Sequence, residues 1–432
     1  MSLKQGANSG KYIPIAFREV IQMNEQFIQS IRNLNPNPPL RDKEIEDFYV
    51  PRPQKSYNFL KAYLLSEGNP KIPVTGPIGV GKSTELNVVK KSLENDFIII
   101  SPQSEDMFGK EEMGNISFYV LLIREMLKKI EKEKISEDLS INDSIFRNYQ
   151  YEKNVRKGYS GNILVELSRF SLSEIKEKRF YDYLKGETES LYALCWAIGD
   201  CLNTHHKKRL LFVLDDFEKL DVKVIEEIFV NHSREIKELP FSLIFTYPLV
   251  LSYSDKIRIF RENYEKALYL YPVNVEGRLK NPNREAISFF KQVMQKRAPN
   301  IKFEKGLMEK MALYSGGIIR SFLHLARNTV RNAMIDEQDM VNSQNFQMEL
   351  QSAREAYFRI INEEDYNGIS KYLKHKETVI PGLERYINQD IILEHRDKEG
   401  IWYQINPIIE PLVVKFYDRK QKEKLFDQGR TI

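Results

Sequence analysis

A glycine-rich stretch near residue 75 has the residue types and spacing of a phosphate-binding loop. The sequence from Thr75 to Leu86 reads TGPIGVGKSTEL and fits the pattern G-x-x-x-x-G-K-[ST]. Glycines let backbone N–H groups turn inward around phosphates, while Lys82 is expected to reach the terminal phosphates and Ser83 to coordinate Mg²⁺. The residues predicted to bind the nucleotide are Gly76, Pro77, Ile78, Gly79, Val80, Gly81, Lys82, Ser83 and Thr84.

A pair of carboxylates supplies the second part of a nucleotide site. Asp215 and Asp216 end the apolar run of RLLFVLDDFEKLD, which is typical of a buried strand. A nucleotide site needs such an acid for its metal, so Asp215 is predicted to bind Mg²⁺. We expect Asp216 or Glu218 to polarise an attacking water. Thr246 ends another apolar run and is predicted to sense the terminal phosphate, although a plain strand-end threonine fits as well.

These residues need a scaffold that brings them to one edge. Short apolar runs bounded by polar or turn residues predict five strands, with helical segments between them. This alternation indicates an α/β fold with a parallel five-stranded sheet, whose ligand lies beyond the carboxyl ends of the strands. The predicted strands are KIPVT, DFIIISPQS, RLLFVL, FSLIFTYP and KALYLYPV.

Two amphipathic helices after the sheet predict a small helical lid. They flank the break at Ser315, Gly316 and Gly317 in FEKGLMEKMALYSGGIIRSFLHLARNTVRNAM. Arg320 lies in the first turn of the second helix, and we expect it to reach back over the phosphates. A surface arginine is the simpler alternative.

The C-terminal pattern predicts a winged-helix-like domain. The segments YNGISKYLKHKE and VIPGLERYIN read as short helices, and DIILEHR, the turn DKEG and IWYQINP read as a hairpin before a last helix. DNA recognition by such a helix needs side chains that reach bases and phosphates. Here basic and acidic residues nearly balance, so DNA contact and a packing or protein-binding role stay equally open. The residues concerned are Arg385, Asn388, Gln389, Arg396 and Lys398 against Glu384, Asp390, Asp397 and Glu399.

The chain divides into four predicted regions. These are a helical extension over 1–45, a phosphate-loop core over 46–275 with an insertion near 101–207, a lid over 276–348 and the winged-helix-like domain over 349–432. The insertion contains YQYEKNVRKGYSG, in which aromatic residues beside Arg156 and Lys157 can stack on nucleic acid, with a solvated loop as the alternative. The N-terminal helix AFREVIQMNEQFIQSIRNL packs either on a neighbouring subunit or on its own domain.

The motifs together resemble those of the AAA+ superfamily, in the branch of origin-recognition and STAND signalling ATPases. The resemblance rests on GPIGVGKST, LFVLDDFEKL, Thr246 after a strand and SGGIIR, and it covers residues 46–334 and loosely the C-terminus. It implies ATP and Mg²⁺ as ligands, with Thr246 and Arg320 as the two sensor residues. Asp216 stands where many active members have glutamate, which implies slow hydrolysis or the use of Glu218.

The resemblance extends to the segment before the phosphate loop. FYVPRPQKSYNFL is similar to a family motif in which a short apolar stretch and an arginine lead into a helix. By that likeness, Tyr49, Val50 and Arg52 are candidates to line the base or ribose. Family members donate an arginine finger to a neighbouring subunit, and no residue here is identifiable as one. Arg258 and Arg261 are the candidates for that role.

Composition limits the class of protein more than its function. The chain has 432 residues, of which 42% are hydrophobic and 29% charged, as in globular proteins rather than disordered or membrane ones. The opening MSLKQGANSGKY lacks the apolar core of a secretory signal, so a cytoplasmic location is expected. Cys195 and Cys201 form neither a metal nor a disulfide pattern. A net charge of +4 neither requires nor excludes DNA.

The functional hypothesis is an ATP-driven molecular switch. Such a protein binds and hydrolyses ATP, forms a homo-oligomer or changes shape, and recruits double-stranded DNA or a protein effector; the resemblance suggests a mobile-element or phage-defence context. A STAND-like ATPase that acts only through protein partners is the main alternative. A small-molecule phosphotransferase would use the lid residues Arg320, Arg327 and Arg331 to clamp a second phosphate. A DNA-binding regulator with a vestigial nucleotide site is a further alternative.

Overall fold

The structure is a computed structural model of the chain. It describes residues 25–102, 114–132, 188–206, 208–374 and 382–427. The stretch YQYEKNVRKGYSG, with Arg156 and Lys157, lies outside these residues. None of the described helices is both long and apolar enough to span a lipid bilayer.

A sheet of five parallel strands forms the centre of the fold. The strands are β1 (Lys71–Thr75), β2 (Phe97–Ile100), β3 (Arg209–Leu214), β4 (Ser242–Thr246) and β5 (Leu268–Tyr269). They pair in the order β2-β3-β4-β1-β5, and every pair is parallel. Each predicted strand is present, so the predicted α/β class with a five-stranded parallel sheet is confirmed.

The sheet is buried on both faces because its strands supply two cores at once. In β3, Leu210, Phe212 and Leu214 pack into one core, whereas Leu211 and Val213 pack into the other. Successive side chains of a strand point to opposite faces, so a continuous apolar run fills both. Because the strands are parallel, the carboxyl ends of β1, β3 and β4 lie at the same edge of the sheet.

The N-terminal part of the described chain packs on its own domain. A helix over 25–33, α1, places Phe27 in a core cluster with residues of the later helices. The Arg297 guanidinium donates hydrogen bonds to the Asn33 and Asn35 carbonyls, and Asn33 donates to the Arg297 carbonyl at 3.1 Å. Of the two predicted roles for this helix, the described contacts are those of a cap on its own domain. A short helix, α2 (Asp42–Phe48), follows.

Helices cover both faces of the sheet. The face of Leu211 and Val213 is covered by α3 (Ser56–Ser66) and α4 (Lys82–Leu93). The opposite face is covered by α5 (Asn115–Lys132), α6 (Thr188–His206), α7 (Val222–Glu226), α8 (Ser233–Glu238) and α9 (Ile257–Asn263).

The described ends of the long connection between β2 and β3 belong to this core. Helices α5 and α6 pack against each other and bury Tyr119, Leu191 and Cys195 beneath the sheet. Cys195 is a free thiol whose pKa is raised by its burial, which makes it a poor nucleophile and metal ligand. These two helices complete one layer of the core.

The helices after the sheet, α10 to α13, form the lid. They are α10 (Arg284–Arg297), α11 (Leu307–Tyr314), α12 (Ile319–Ile335) and α13 (Ser343–Phe358), with a small sheet of β6 (Lys302–Phe303) and β7 (Met340–Val341). The predicted break between α11 and α12 lies at Gly316 and Gly317. Gly317 has φ +81°, and a Cβ there would overlap the Val273 carbonyl, so only glycine allows this close approach.

The C-terminal module, residues 363–427, is two helices, a hairpin and a last helix. Its elements are α14 (Glu363–Lys374), α15 (Leu383–Asn388), β8 (Ile392–Asp397), β9 (Gly400–Ile405) and α16 (Glu410–Asp427). The antiparallel hairpin lies against the segment that leaves β5. Asn274 donates to the Arg396 carbonyl at 2.7 Å, and Arg278 pairs with Asp397 at 2.8 Å. This order of elements is the one predicted, and the module is docked on the rest of the chain.

Candidate functional site

The phosphate loop lies between β1 and α4, as the sequence predicts. Lys82 is the first residue of α4, and its side chain is only 6% exposed. Its Nζ donates to the Gly76 carbonyl at 2.9 Å and to the Pro77 carbonyl at 3.2 Å. The same Nζ lies 3.5 Å from Oε1 of Glu218. The lysine therefore joins the loop to the acidic cluster that follows β3.

Three carboxylates meet beside the loop. Asp215, Asp216 and Glu218 place one oxygen each within 4.8 Å of one another. The Ser83 hydroxyl hydrogen-bonds to Asp215, whose pKa is raised chiefly by burial and next by the nearby Glu218. Carboxylate and hydroxyl oxygens are donors that Mg²⁺ prefers, and a divalent cation would relieve the mutual repulsion of the three carboxylates. The residues present thus fit a Mg²⁺ site made by Ser83 and Asp215.

Asp216 and Glu218 differ in their partners. Asp216 forms an ion pair with Lys219 at 2.5 Å and has a left-handed backbone with φ +67°. Glu218 has a buried Oε2 atom with no hydrogen-bond partner among the described residues. An unpaired buried oxygen is costly and points to a missing ligand or water. Glu218 is therefore better placed than Asp216 to act on a water molecule.

Thr246 is buried at the end of β4 and contacts this cluster. Its hydroxyl accepts a hydrogen bond from the Glu218 backbone N–H at 3.3 Å and donates to the Leu214 carbonyl at 3.5 Å. The structure thus brings Thr246 to the predicted place, with its hydroxyl engaged by protein groups. Its contact holds the backbone of Glu218 rather than leaving the hydroxyl free for a phosphate.

The lid approaches the phosphate loop through Arg320. The Arg320 backbone N–H donates to the Gly79 carbonyl at 3.0 Å. A Cβ on Gly79 would lie 2.6 Å from the Arg320 Cβ, so the glycine permits this approach. The Arg320 side chain lines the same cavity as Lys82. Its predicted position over the loop agrees with this arrangement.

A cavity of about 630 Å³ lies between the sheet edge and the lid. Its size is within the range of small-molecule sites. The phosphate loop, the carboxylates and Arg320 line it together with a group of apolar side chains. The apolar wall includes Pro38, Leu40, Phe48, Val50, Phe289, Val293 and Leu323. A nucleotide needs polar groups around its phosphates and an apolar surface against its base. The wall of this cavity contains both kinds of residue.

Tyr49, Val50 and Arg52 all line the cavity, but two of them already have partners within the protein. The Tyr49 hydroxyl donates to Glu85 Oε1 at 3.1 Å. The Arg52 guanidinium donates to the Val80 carbonyl and, at 2.7 Å, to the Tyr271 carbonyl. Arg52 therefore ties the phosphate loop to the end of β5. Val50 is buried in a core cluster and contributes an apolar side chain to the cavity wall.

Several lining residues were missed by sequence reasoning. Residues 36–41, with the NPNPP turn, form part of the wall. Asn388 at the end of α15 also lines the cavity. The rigid prolines were the available signal for the first group. No local signal existed for Asn388, which is more than 300 positions from the phosphate loop.

The other candidate arginines lie elsewhere. Arg327 donates to the Ile31 carbonyl at 3.1 Å and Arg331 to Asn328 at 2.5 Å, and neither is among the described residues that line the cavity. Arg258 is 82% exposed on α9 and pairs with Glu262 at 2.7 Å. Arg261, on the same helix, is likewise absent from the described wall. The three-arginine clamp considered for a phosphotransferase is thus not assembled at the cavity by the described residues.

Solved structures with a similar fold cover nearly the whole chain. Drosophila ORC bound to DNA aligns over 97% of this chain and 96% of its own, with 10% identity and a TM-score of 0.41. Cdc6p from Pyrobaculum aerophilum covers 90% and 98%, with 12% identity and a TM-score of 0.39. The RuvB Holliday junction branch migration motor of Thermotoga maritima covers 88% and 98%, with 12% identity and a TM-score of 0.41.

Neither a protein-family model nor a curated protein sequence matches the chain. The fold therefore rests on the chain's own features. The loop follows the central strand β1, the carboxylates follow β3, Thr246 ends β4 between them, and Arg320 comes from the lid. By this arrangement the chain has an α/β fold in which a phosphate-binding loop, an acidic cluster and a helical segment meet at the carboxyl edge of a five-stranded parallel sheet.

Proposed function

We propose that this protein is an ATP-driven molecular switch that binds Mg²⁺–ATP between its core and its lid. One observation carries the proposal: Lys82, the Asp215 cluster and Arg320 of the lid line a single cavity together with a group of apolar side chains. Cationic groups from two separate parts of the chain thus converge where the phosphates of a nucleotide would lie. A nucleotide would bind both parts at once.

The residues have distinct roles in this proposal. Ser83 and Asp215 hold Mg²⁺, which neutralises charge on the phosphate oxygens when it is bound. Lys82 exchanges its loop carbonyl partners for terminal phosphate oxygens, and Arg320 adds a second positive charge from the lid. Glu218, held through its backbone by Thr246, orients and polarises the attacking water. Arg52 keeps the loop in place by its bonds to the Val80 and Tyr271 carbonyls.

The conformational change of the proposed switch depends on the chemical difference between ATP and ADP. A ligand shifts a conformational equilibrium only by its differential affinity for the two states. The terminal phosphate is the group that changes on hydrolysis, and Arg320 joins the lid to its place. We infer that loss of this phosphate weakens the hold of the nucleotide on the lid.

Binding of a fluorescent ATP analogue to the wild type and to Lys82→Ala tests the nucleotide site. We expect the wild type to bind with Mg²⁺ and the variant to lose at least about tenfold in affinity, because the buried lysine is a charged partner of the phosphates. Lys61→Ala, on the surface of α3, is the matched control. Equal binding by wild type and Lys82→Ala would rule out this site.

Double-stranded DNA and a protein effector are the two partners that we propose for the switch. Two contacts are relevant to this choice, because they engage the predicted helix and hairpin of the C-terminal module with the rest of the chain. The end of α15 faces the nucleotide cavity, and Asp397 of the hairpin pairs with Arg278. ATP turnover and the mass of the protein in solution, each measured with and without duplex DNA, distinguish a DNA partner from a protein effector. Faster turnover or assembly with DNA supports a DNA-associated homo-oligomer, and no response supports a signalling ATPase that acts on protein.

A further inference from the structure

A buried arginine of the lid forms part of the cavity wall without contacting the phosphate loop. Arg297 is the last residue of α10, is 7% exposed and lines the cavity. Lys82 and the backbone of Arg320 both bond to the loop, at the Gly76 and Gly79 carbonyls. Among the described residues, Arg297 forms no hydrogen bond or ion pair with that loop. It is therefore a cation of the wall that phosphate binding does not explain.

The hydrogen-bonding capacity of Arg297 is only partly used within the protein. Its Nη1 atom donates to the Asn33 carbonyl and, at 3.4 Å, to the Asn35 carbonyl. Its Nε atom is buried and has no hydrogen-bond partner among the described residues. A guanidinium has five N–H donors and no acceptor, so donors remain for a ligand group that brings a lone pair. A buried donor without a partner points to something that completes it.

The charge of Arg297 also lacks a paired carboxylate. No acidic side chain of the described residues forms an ion pair with it, and its guanidinium lies 5.2 Å from the centre of the Phe48 ring. Burial lowers the pKa of Arg297 to about 10 against the opposing effect of Glu44, so the group stays charged at neutral pH. Buried charges are normally paired or hydrogen-bonded, because removing them from water is costly. Arg297 thus offers a charged donor to a ligand in the cavity.

The side chains around Arg297 suit the base of a nucleotide and not its phosphates. Phe289, Val293 and Arg297 are four residues apart on α10, and all three line the cavity. Residues at this spacing lie on the same face of a helix. Phe48 lines the cavity as well. With the phosphates held by the loop, the base is the part of the nucleotide that remains to meet this wall.

We propose that Arg297 is a specificity-determining residue, which donates a hydrogen bond from its guanidinium to a ring nitrogen of the purine base of ATP. This inference rests on the proposed nucleotide-binding function. The unsubstituted ring nitrogens of adenine carry lone pairs, whereas its amino group is a donor that a guanidinium cannot bind. The apolar side chains contact the faces of the base, and Arg297 binds its edge.

The same guanidinium also holds the turn after α1, through the carbonyls of Asn33 and Asn35. Loss of ATP affinity in an Arg297 variant would therefore fit a purely structural role as well. A change in the base, made first on the wild-type protein, separates the two roles, because it leaves the turn intact.

Analogues of ATP in which C–H replaces one ring nitrogen test the contact on the wild-type protein. Competition of 1-deaza-, 3-deaza- and 7-deaza-ATP with a fluorescent ATP analogue gives the affinity of each. We expect one of the three to bind about tenfold more weakly than ATP, because it loses a hydrogen bond from a charged donor. Equal affinities for ATP and all three analogues would overturn the inference.

Two variants show whether the lost hydrogen bond belongs to Arg297. In Arg297→Met, which has a long side chain without donors, ATP and the sensitive analogue should bind equally. Arg297→Lys keeps a cation for the turn carbonyls but lacks the guanidinium, so the difference should fall to about threefold or less. Lys296→Met is the matched control, because it removes a neighbouring cation that is not among the described residues of the cavity wall. It should keep the full difference.

The remaining outcomes are distinct from one another. A difference between ATP and the analogue that persists unchanged in both Arg297 variants would assign the contact to another group and overturn the inference. Failure of the wild type to bind ATP at all would instead remove the proposed function.

Discussion

At the scale of single residues, the geometry of the candidate site depends on which ion pairs and hydrogen bonds its charged side chains form. Lys82 lies 3.5 Å from Glu218 and also bonds to two loop carbonyls. Glu218 in turn keeps one buried oxygen without a partner among the described residues. This asymmetry distinguishes it from Asp216, which pairs with Lys219. The proposal that Glu218 acts on water therefore rests on its contacts and not on its position in the motif.

Replacing Glu218 by glutamine should separate binding from turnover. The amide keeps the size of the side chain but cannot accept a proton, so we expect ATP affinity to change little and turnover to fall about 100-fold or more. Steady-state phosphate release and analogue binding are measured on the same preparation. Asp216→Asn is the comparison variant, with a smaller loss expected. A larger loss in Asp216→Asn than in Glu218→Gln would transfer the role to Asp216.

Asp390 should make folding stability depend on pH. Its pKa is raised from 3.8 to about 7 by burial, so the folded state holds the proton more tightly than the unfolded state. The contribution of Asp390 to the free energy of unfolding is therefore most favourable below pH 3.8, and it is lost as the pH rises toward 7. We expect Asp390→Asn to stabilise the protein by about 2 to 4 kcal/mol at pH 8 and hardly at all at pH 4. Urea unfolding at the two values measures this, and equal effects would contradict it.

At the scale of elements, the hairpin of β8 and β9 depends on a neutral histidine. His395 is fully buried, stacks on Trp402, and hydrogen-bonds to Asn274 at 3.0 Å. Burial lowers its pKa from 6.5 to about 4, so protonation is disfavoured in the folded protein. The contribution of neutral His395 to the free energy of unfolding is therefore present above pH 6.5, and it is lost as the pH falls toward 4.

Substitution of this histidine should therefore remove part of the acid sensitivity. We expect the wild type to lose more stability than His395→Gln between pH 7 and pH 4.5, because only the histidine must bind a proton on unfolding. The raised pKa of the buried Glu394 acts in the opposite direction, but it is common to both proteins and cancels in the comparison. Thermal unfolding at both pH values is the measurement. Parallel losses would show that His395 is not the sensitive group.

The close contact between the lid and the segment that follows β5 depends on Gly317. Its φ of +81° and its contact with the Val273 carbonyl leave no room for a methyl group. Gly317→Ala should therefore destabilise the protein by about 2 kcal/mol or more, through both strain and overlap. Gly68→Ala is the control, since a Cβ there meets nothing within 4 Å. Urea unfolding checks both, and similar stabilities for the two variants would count against a tight joint.

At the scale of the whole molecule, the sequence predicted what is encoded locally. The five strands and the two lid helices were recognisable because apolar runs and their periodicity depend on near neighbours. The phosphate loop and the acidic pair were recognisable because their chemistry demands fixed residue types. These features account for the sheet, the loop and the polar residues of the cavity wall.

The contacts between distant parts of the chain were not predictable in the same way. The wall at 36–41, the bonds of Arg52 to Val80 and Tyr271, and the burial of the Asp390 carboxylate arise only when separate elements pack together. In the sequence, Asp390 was interpreted only as a charge that would repel DNA phosphates. In the structure its Oδ1 atom is buried and has no hydrogen-bond partner among the described residues.

The central claim is that one cavity holds ATP and uses it. The most direct measurement is steady-state ATP hydrolysis by the purified protein with Mg²⁺, in wild type, Lys82→Ala and the surface control Lys61→Ala. We predict slow but measurable turnover in the wild type and in the control, and none above background in Lys82→Ala. Turnover that survives in Lys82→Ala, or a wild type that neither binds nor hydrolyses ATP, would contradict the account.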